Sequence, residues 1–204
     1  MKVDPKNPGH FNIYVLGGCL IVPRPIAWIS TIGPDGLYNA APYSAFTRVC
    51  AHPFIVAVSI GRRRGKKKDT IRNIEFTNDF VINVVNDELA RAMVQTSADY
   101  PYGTDEIKKA GLTAEVSDKV KSPRISESPA SLECKVEKII ELGHPERGTT
   151  LVLAEVVMIH LKDELLKDNI VRPEDLKPLG RLGGDCYCHM NAIFEMKNRF
   201  KSYR

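Results

Sequence analysis

Two stretches of this chain have the residue types to hold an anion and to read a flat polar ring. The first follows Gly61. Arg62, Arg63, Arg64, Lys66, Lys67 and Lys68 crowd one short loop, and Asp69-Thr70 comes next. Asp and Thr are good N-cap residues, so the spacing predicts a short helix that starts there and runs through Ile71 and Ile74. Cationic side chains beside the free N–H groups of a helix start make an anion site. The G-x-x-x-x-G-K-[ST] spacing of a Walker A loop is absent. Charge runs are usually solvated surface, and so many cations cannot all touch one phosphate. Arg62 and Lys68, at the loop ends, are the expected contacts. The second stretch is Asn39, Ala40, Ala41, Pro42, Tyr43 and Ser44. Proline lacks an N–H and belongs at a strand edge or a bulge. A bulge would free backbone donors and acceptors from the ladder, and such groups suit the polar edge of a ring system. Together the two stretches suit a flat aromatic cofactor with a phosphate tail.

Other constellations weigh less. Cys186, Cys188 and His189 invite a metal reading, but no second Cys or His pair stands at structural-zinc spacing. Strand-end cysteines are the simpler account, and no metal ligand is assigned. No residue set reads as a Ser-His-Asp triad or as paired acid–base carboxylates, so no catalytic side chain is nominated. The basic loop alone would suit nucleic acid. The 39–44 block has no use in such binding, so that reading ranks last.

The elements that must position these residues read as mainly β with a few flanking helices. Residues 26–32 are apolar, β-branched and aromatic, which favours a strand. Gly33-Pro34-Asp35-Gly36 is a turn, and 37–46 returns as a second strand, broken near Pro42. Residues 54–60 form a continuous apolar run, as in a strand buried on both faces. Strands are also expected at 80–85, 131–140 and 149–161, where Glu155 is the polar exception. Helices are expected at 88–96, capped by Asn86-Asp87 and packing through Leu89, Ala90, Met93 and Val94, and at 105–110, ended by Gly111. Residues 1–15 read as an arm, with Gly17-Gly18 as a turn or close approach. Residues 121–129 read as a connection, 162–178 as a charged extension, and 191–204 as a basic tail.

Composition fits one compact domain over 1–204. A chain of 204 residues buries a sizeable core without disulfides. Its net charge of +4 is concentrated at the basic loop, which argues for a local anion site rather than a surface made for nucleic acid. The N-terminus is polar and is no signal peptide. No apolar run approaches the roughly 20 residues that span a bilayer. Five cysteines do not read as a disulfide framework, so a cytoplasmic, reducing location is expected.

Beyond these readings, the chain resembles the flavin reductase-like family of FMN-binding split β-barrels, which includes flavin reductases and flavoredoxin-type electron carriers. The resemblance rests on residues 24–31 (R-P-I-A-W-I-S-T), Asp35-Gly36, the 39–44 block, Ser59-Ile60-Gly61, Lys68-Asp69-Thr70 with Asn73-Ile74, and residues 80–83. It extends more loosely to about Gly184, through Arg181-Leu182-Gly183-Gly184 and Tyr187. It implies bound FMN, with Trp28, Ser30, Thr31, Asn39, Ala40, Ala41, Pro42, Tyr43 and Ser44 around the flavin and ribityl chain. Ser59, Gly61, Arg62, Lys68 and Thr70 would lie by the phosphate. It also implies that Arg24 lies close to the flavin. Core packing alone would equally explain Trp28 and Tyr43, and Asn39 alone reads as a turn residue. The family implies a homodimer with FMN near the interface, and either NAD(P)H or a redox protein such as a ferredoxin as electron partner. Many NAD(P)H-using members carry a His before the 149–161 strand. Here that position is Thr149, with His144 out of register. The difference shifts weight toward the flavoredoxin-type branch.

Overall fold

A long hairpin is the spine of the molecule. Its arms are 13 residues each, the first alternating apolar and polar residues from Leu132 to Glu137 and the second largely apolar, and both halves of the fold pair against it. In a computed structural model that describes residues 1–190, 192–194 and 196, the chain begins with helix α1 (Ile13–Leu20). Strands β1 (Ala27–Ile32), β2 (Tyr38–Tyr43), β3 (Phe46–Cys50) and β4 (Ile55–Gly61) follow. Helix α2 (Asp69–Thr77) leads to β5 (Asp79–Asn83), a 3-10 turn at Asp87–Leu89, and helices α3 (Ala90–Gln95) and α4 (Glu106–Lys109). The short ribbon of β6 (Ala114–Glu115) and β7 (Arg124–Ile125) precedes the spine, β8 (Ala130–Leu142) and β9 (Thr149–Leu161). A second ribbon, β10 (Leu166–Lys167) with β11 (Ile170–Val171), then α5 (Pro173–Leu176), and a third ribbon, β12 (Leu179–Arg181) with β13 (Tyr187–His189), complete the order.

The main sheet is antiparallel, in the order β2-β1-β5-β8-β9-β4-β3. Its two edge strands are consecutive in the chain, joined through Ser44-Ala45. The Ser59 N–H on β4 donates to the Ala45 carbonyl at 2.8 Å, so the sheet curls back on itself. One face of β1 and β2 turns inward. Ala27, Ile29 and Tyr43 share a core with Val56, Val58 and Ile60 of β4, and Ile71 and Ile74 of α2 close its end. The other face of β1 carries Trp28, which packs with Met93 of α3, Ile107 of α4 and Ile125 of β7.

Several local expectations need correction. Pro42 makes no bulge: β2 pairs with β1 in unbroken register, Pro42 opposite Trp28. Its missing N–H is tolerated because β2 is a sheet edge. The expected second strand at 37–46 stops at Tyr43, and the segment beyond it is a strand, β3, rather than a loop. Residues 55–61 alternate buried and half-buried, so β4 is not covered on both faces within this chain. Gly17 and Gly18 lie inside α1 rather than at a turn. Gly183 packs closely on α1: a Cβ there would come within 3.2 Å of the Cys19 Cα. Most of the 191–204 tail lies outside the described residues. Among the described residues no helix is long and apolar enough to cross a membrane.

A polar belt on the outer wall fixes the 114–129 excursion. Asp79 accepts from the Lys121 and Ser122 N–H groups at 3.0 and 3.1 Å. Asn83 Oδ1 accepts from Ile125 N at 2.9 Å, and the Ser30 hydroxyl donates to the Pro123 carbonyl at 2.5 Å. Glu133, fully buried, accepts from the Asp118 and Lys119 N–H groups at 2.8 and 2.6 Å and lies 2.5 Å from His160 Nε2. Each buried side chain finds a loop N–H or carbonyl, as burial of polar groups demands.

Candidate functional site

The inward faces of β1 and β2 and the first turn of α2 converge on a chain of polar side chains. Thr70 Oγ1 donates to Asn39 Oδ1 at 2.8 Å, and Tyr43 Oη lies 2.8 Å from the same hydroxyl. Asn39 Nδ2 donates onward to Glu106 Oε2 at 3.0 Å, and the Ala40 N–H reaches that oxygen at 3.3 Å. Asn73 Nδ2 donates to Thr31 Oγ1 at 3.0 Å. Thr31, Asn39, Tyr43 and Thr70 are all buried. Burial pushes the Tyr43 phenol well above its ordinary range, so it stays a neutral donor. Burial also raises the Glu106 carboxyl to about 7, against the opposing pull of its N–H donors and Asn39. A crevice of about 10 Å3, room for one water, lies beside this network between Asp35, Asn39, Asp69, Asn73 and the 102–104 loop. Asn73 Oδ1 on its wall is buried without a hydrogen-bond partner among the described residues.

The basic loop sorts itself. Arg62 pairs with Glu141 at 2.8 Å, and Lys67 bridges Glu75 at 2.5 Å and Glu141 at 3.0 Å. Arg63 and Arg64 both meet Asp99. Among the described residues Lys66 and Lys68 have no carboxylate partner. Lys66 is exposed. Lys68 is half-buried, with its ammonium 5.2 Å from the centre of the Tyr43 ring. Burial, then the neighbouring Arg63, lowers its pKa. An ammonium in that position gains from any anion that joins it. The helix itself starts differently from the expectation: Lys68 is the N-cap and makes no side-chain cap bond, and Asp69 is the first helical residue. Burial raises the Asp69 carboxyl above its ordinary value. Thr70 spends its hydroxyl on Asn39 and Tyr43 instead of on a cap.

The remaining expected residues take varied positions. Ser59 Oγ lies 2.7 Å from Thr149 Oγ1, next to the exposed Gly61 at the strand end. The Thr149 position therefore joins β4 to β9, while His144 is exposed in the turn beyond. Ser44 accepts from Arg24 Nε at 3.2 Å. Arg24 also donates to the carbonyls of Gly18 at 2.5 Å, Ile21 at 2.7 Å and Leu182 at 2.8 Å, tying the end of α1 to the β12–β13 ribbon. Ala41 and Pro42 are half-buried on the β2 edge. Trp28 is fully buried and donates to Thr96 Oγ1 at 2.9 Å. Ser30 is fully buried in the outer belt. The structure thus brings Thr31, Asn39, Tyr43, Lys68 and Thr70 together, and sets Trp28 and Ser30 on the opposite face of β1.

Two members of the network escaped the sequence reading. Asn73 was legible only as part of a motif. Glu106 carried no signal, because a Glu in the segment D-E-I-K-K reads as a solvated helix turn.

A curled antiparallel sheet with a buried polar network at a helix start, and a half-buried lysine beside it, is the arrangement the comparisons have to match. The sequence comparison makes it specific: residues 19–179 match the flavin reductase like domain, and the chain belongs to that family. The fold is the split barrel of solved flavin reductases. An uncharacterized protein of Aquifex aeolicus is 41% identical over 92% of this chain and 94% of its own. Nitrilotriacetate monooxygenase component B from Bacillus cereus superposes with a TM-score of 0.92 at 31% identity, covering 96% of this chain and 98% of that one. The 2-nitrobenzoate 2-nitroreductase of Pseudomonas fluorescens gives 0.86 at 30% identity, over 99% and 98%. The flavoredoxin of Desulfovibrio vulgaris shares the fold, with a TM-score of 0.74 at 20% identity over 87% and 92%.

Proposed function

We propose that this protein is an FMN-dependent oxidoreductase that passes electrons through a flavin held along β2 and the start of α2. The observation that carries this reading is Lys68: in a loop where four cations are spent on carboxylates, it alone is half-buried and unpaired, at an uncapped helix start. That is the chemistry of a phosphate seat, and a single compact seat suits the monophosphate of FMN better than a longer chain. The donor set fits the cofactor. Lys68 and the first N–H groups of α2 would hold the phosphate, and the β2 edge with Ser44 and Ser59 would face the ribityl chain. The flavin itself supplies the redox chemistry. The chain's own residues bind and orient it, and the Tyr43–Thr70–Asn39 chain fixes the floor beneath.

Two solved structures at 30–31% identity are named as a monooxygenase component and a nitroreductase, whereas the flavoredoxin likeness, at 20% identity, extends to fold alone. This favours a reductase that takes electrons from NAD(P)H, with Thr149 in place of the His of other members. Electron relay from a reduced redox protein is the second reading. We also infer a homodimer, because α1 carries Tyr14 and Leu20 largely exposed, with Ile21 exposed just past its end, and buries none of its residues. The five free cysteines fit a reducing, cytoplasmic setting.

The test is anaerobic. The protein reconstituted with FMN should show flavin bands that bleach on adding NADH or NADPH. Bleaching only with dithionite or a reduced ferredoxin would favour the relay. Lys68→Gln should weaken FMN at least tenfold, about 1.4 kcal/mol, while riboflavin, which lacks the phosphate, binds both forms alike. Equal FMN affinity in both forms would remove Lys68 from the site.

A further inference from the structure

The outer wall holds a second group of ligand-type side chains, remote from the crevice at Lys68. Thr149, which touches Ser59, and His160 lie toward opposite ends of β9, roughly 36 Å apart along the strand at 3.3 Å per residue. Glu133 on β8 pairs with Met158 of β9, so His160, two residues further on, shares its face. Asp118, in the loop between β6 and β7, lies against both. A carboxylate oxygen of Asp118, one of Glu133 and a ring nitrogen of His160 all stand within 4.8 Å of one another.

The group is held from behind. Glu133 is fully buried, and the Asp118 and Lys119 N–H groups fix its two oxygens at 2.8 and 2.6 Å. Carboxylates that bind metals are oriented by donors of this kind. The Asp118 side chain is exposed, and among the described residues no cation pairs with it. Two carboxylates this close repel each other. The group set against them is His160, whose Nε2 lies 2.5 Å from Glu133 Oε1. An imidazole between two carboxylates, one of them free to move, is a set of ligands from three separate segments of the chain.

We propose that Asp118, Glu133 and His160 bind one divalent transition-metal ion of the zinc type. One imidazole and two carboxylates are a donor set for zinc, whereas magnesium and calcium take oxygen ligands. Ligand atoms about 2.1 Å from a tetrahedral ion stand roughly 3.4 Å from each other. The Glu133–His160 pair, at 2.5 Å, opens by about 0.9 Å to admit the ion, and the Asp118 carboxylate closes onto it. The ion takes the place of the proton on His160 Nε2, and the neutral ring keeps its one proton on Nδ1. The two negative charges are then balanced, and water fills the fourth position on the exposed side. Bound there, the ion clips the 114–129 excursion to the spine at a point where hydrogen bonds alone otherwise hold it.

The experiment is calorimetric titration of the purified protein, stripped of metal with EDTA, with ZnCl2 and separately with MgCl2. The expected result is one Zn2+ per chain, bound about a hundredfold more tightly than Mg2+. Asp118→Asn, an exposed change that keeps the backbone N–H for Glu133, should weaken Zn2+ roughly tenfold or more. Flavin absorbance and the urea midpoint of the metal-free form should not change. Zn2+ should slow tryptic cleavage after Lys119 and Lys121 in the parent and not in Asp118→Asn, a protection that zinc bound elsewhere would not give. The double change Cys186→Ser with Cys188→Ser should keep the zinc, because those thiols and His189 are the competing ligands. Equal Zn2+ affinity in Asp118→Asn, loss of zinc in the cysteine variant, Mg2+ bound as tightly as Zn2+, or no saturable binding would each overturn the proposal. The flavin reading fails separately, through the loss of flavin bands.

Discussion

Glu106 is the residue whose chemistry most constrains the behaviour of the site in solution. Its folded pKa, about 7, lies above the ordinary value of 4.5 because burial disfavours the carboxylate. A group with a raised folded pKa binds its proton more tightly in the native state. The native state therefore loses stability as pH rises from about 4.5, and the loss is complete above about 7. Glu106→Gln keeps an oxygen for Asn39 and Ala40 and removes the charge. It should stabilise the protein by on the order of 1–2 kcal/mol at pH 8 and have little effect at pH 5, read as the difference in urea midpoint at the two values. A destabilised variant at pH 8 would show that the carboxylate is welcome there. At this scale the sequence was informative where a motif spans consecutive residues, as in 39–44 and 68–70. It was silent where partners meet across the fold. Nothing local tells that Ser30 reaches Pro123, or that Glu106 reaches Asn39, because those separations are set by the wrapping of the sheet.

Between elements, the outer belt ties the 114–129 excursion to two buried carboxylates, Asp79 at residues 121–122 and Glu133 at the 118–119 turn. Burial pushes the Glu133 pKa up, but the Asp118 and Lys119 N–H groups and His160 outweigh it, so the net shift is downward. A depressed carboxyl contributes stability above its unfolded value near 4.5, and that contribution is lost as pH falls through the folded value. Glu133→Gln presents an amide donor to groups that already donate. It should cost about 2–4 kcal/mol and open the excursion to limited proteolysis between residues 116 and 123. Unchanged digestion would mean that Asp79 and Asn83 hold the segment alone. Alternation made β8 legible and a long apolar run made β9 legible, because both patterns survive in the sequence. The same alternation hid the role of Glu133, which reads as a solvent-facing residue until the excursion is laid over it. The β3 strand was missed for a related reason: its exposed Thr47, Arg48 and Val49 resemble a loop.

For the whole molecule, the exposed apolar residues at the end of α1 give the proposed dimer a test. Leu20→Lys with Ile21→Glu should leave a folded monomer in sedimentation velocity at micromolar concentration, whereas the parent should sediment as a dimer. A parent that sediments as a monomer would withdraw that interface. The overall architecture was legible through the ordered motifs of the family, while the sheet order was not, because no local pattern states which strands are neighbours. That order has a consequence for how the chain is made. Strand β5 borders β8, and β4 borders β9, so these two strands from the first half of the chain each wait for an arm of the hairpin. A ribosome that has finished residue 129 has released β4 and β5 with an open side each, and unpaired edges invite aggregation. The interval needed to synthesise the next 32 residues, at about 5–20 residues per second, spans a few seconds. The nascent chain passes that interval with its partly formed sheet exposed, which makes this stretch of synthesis the point at which a chaperone would have most to do.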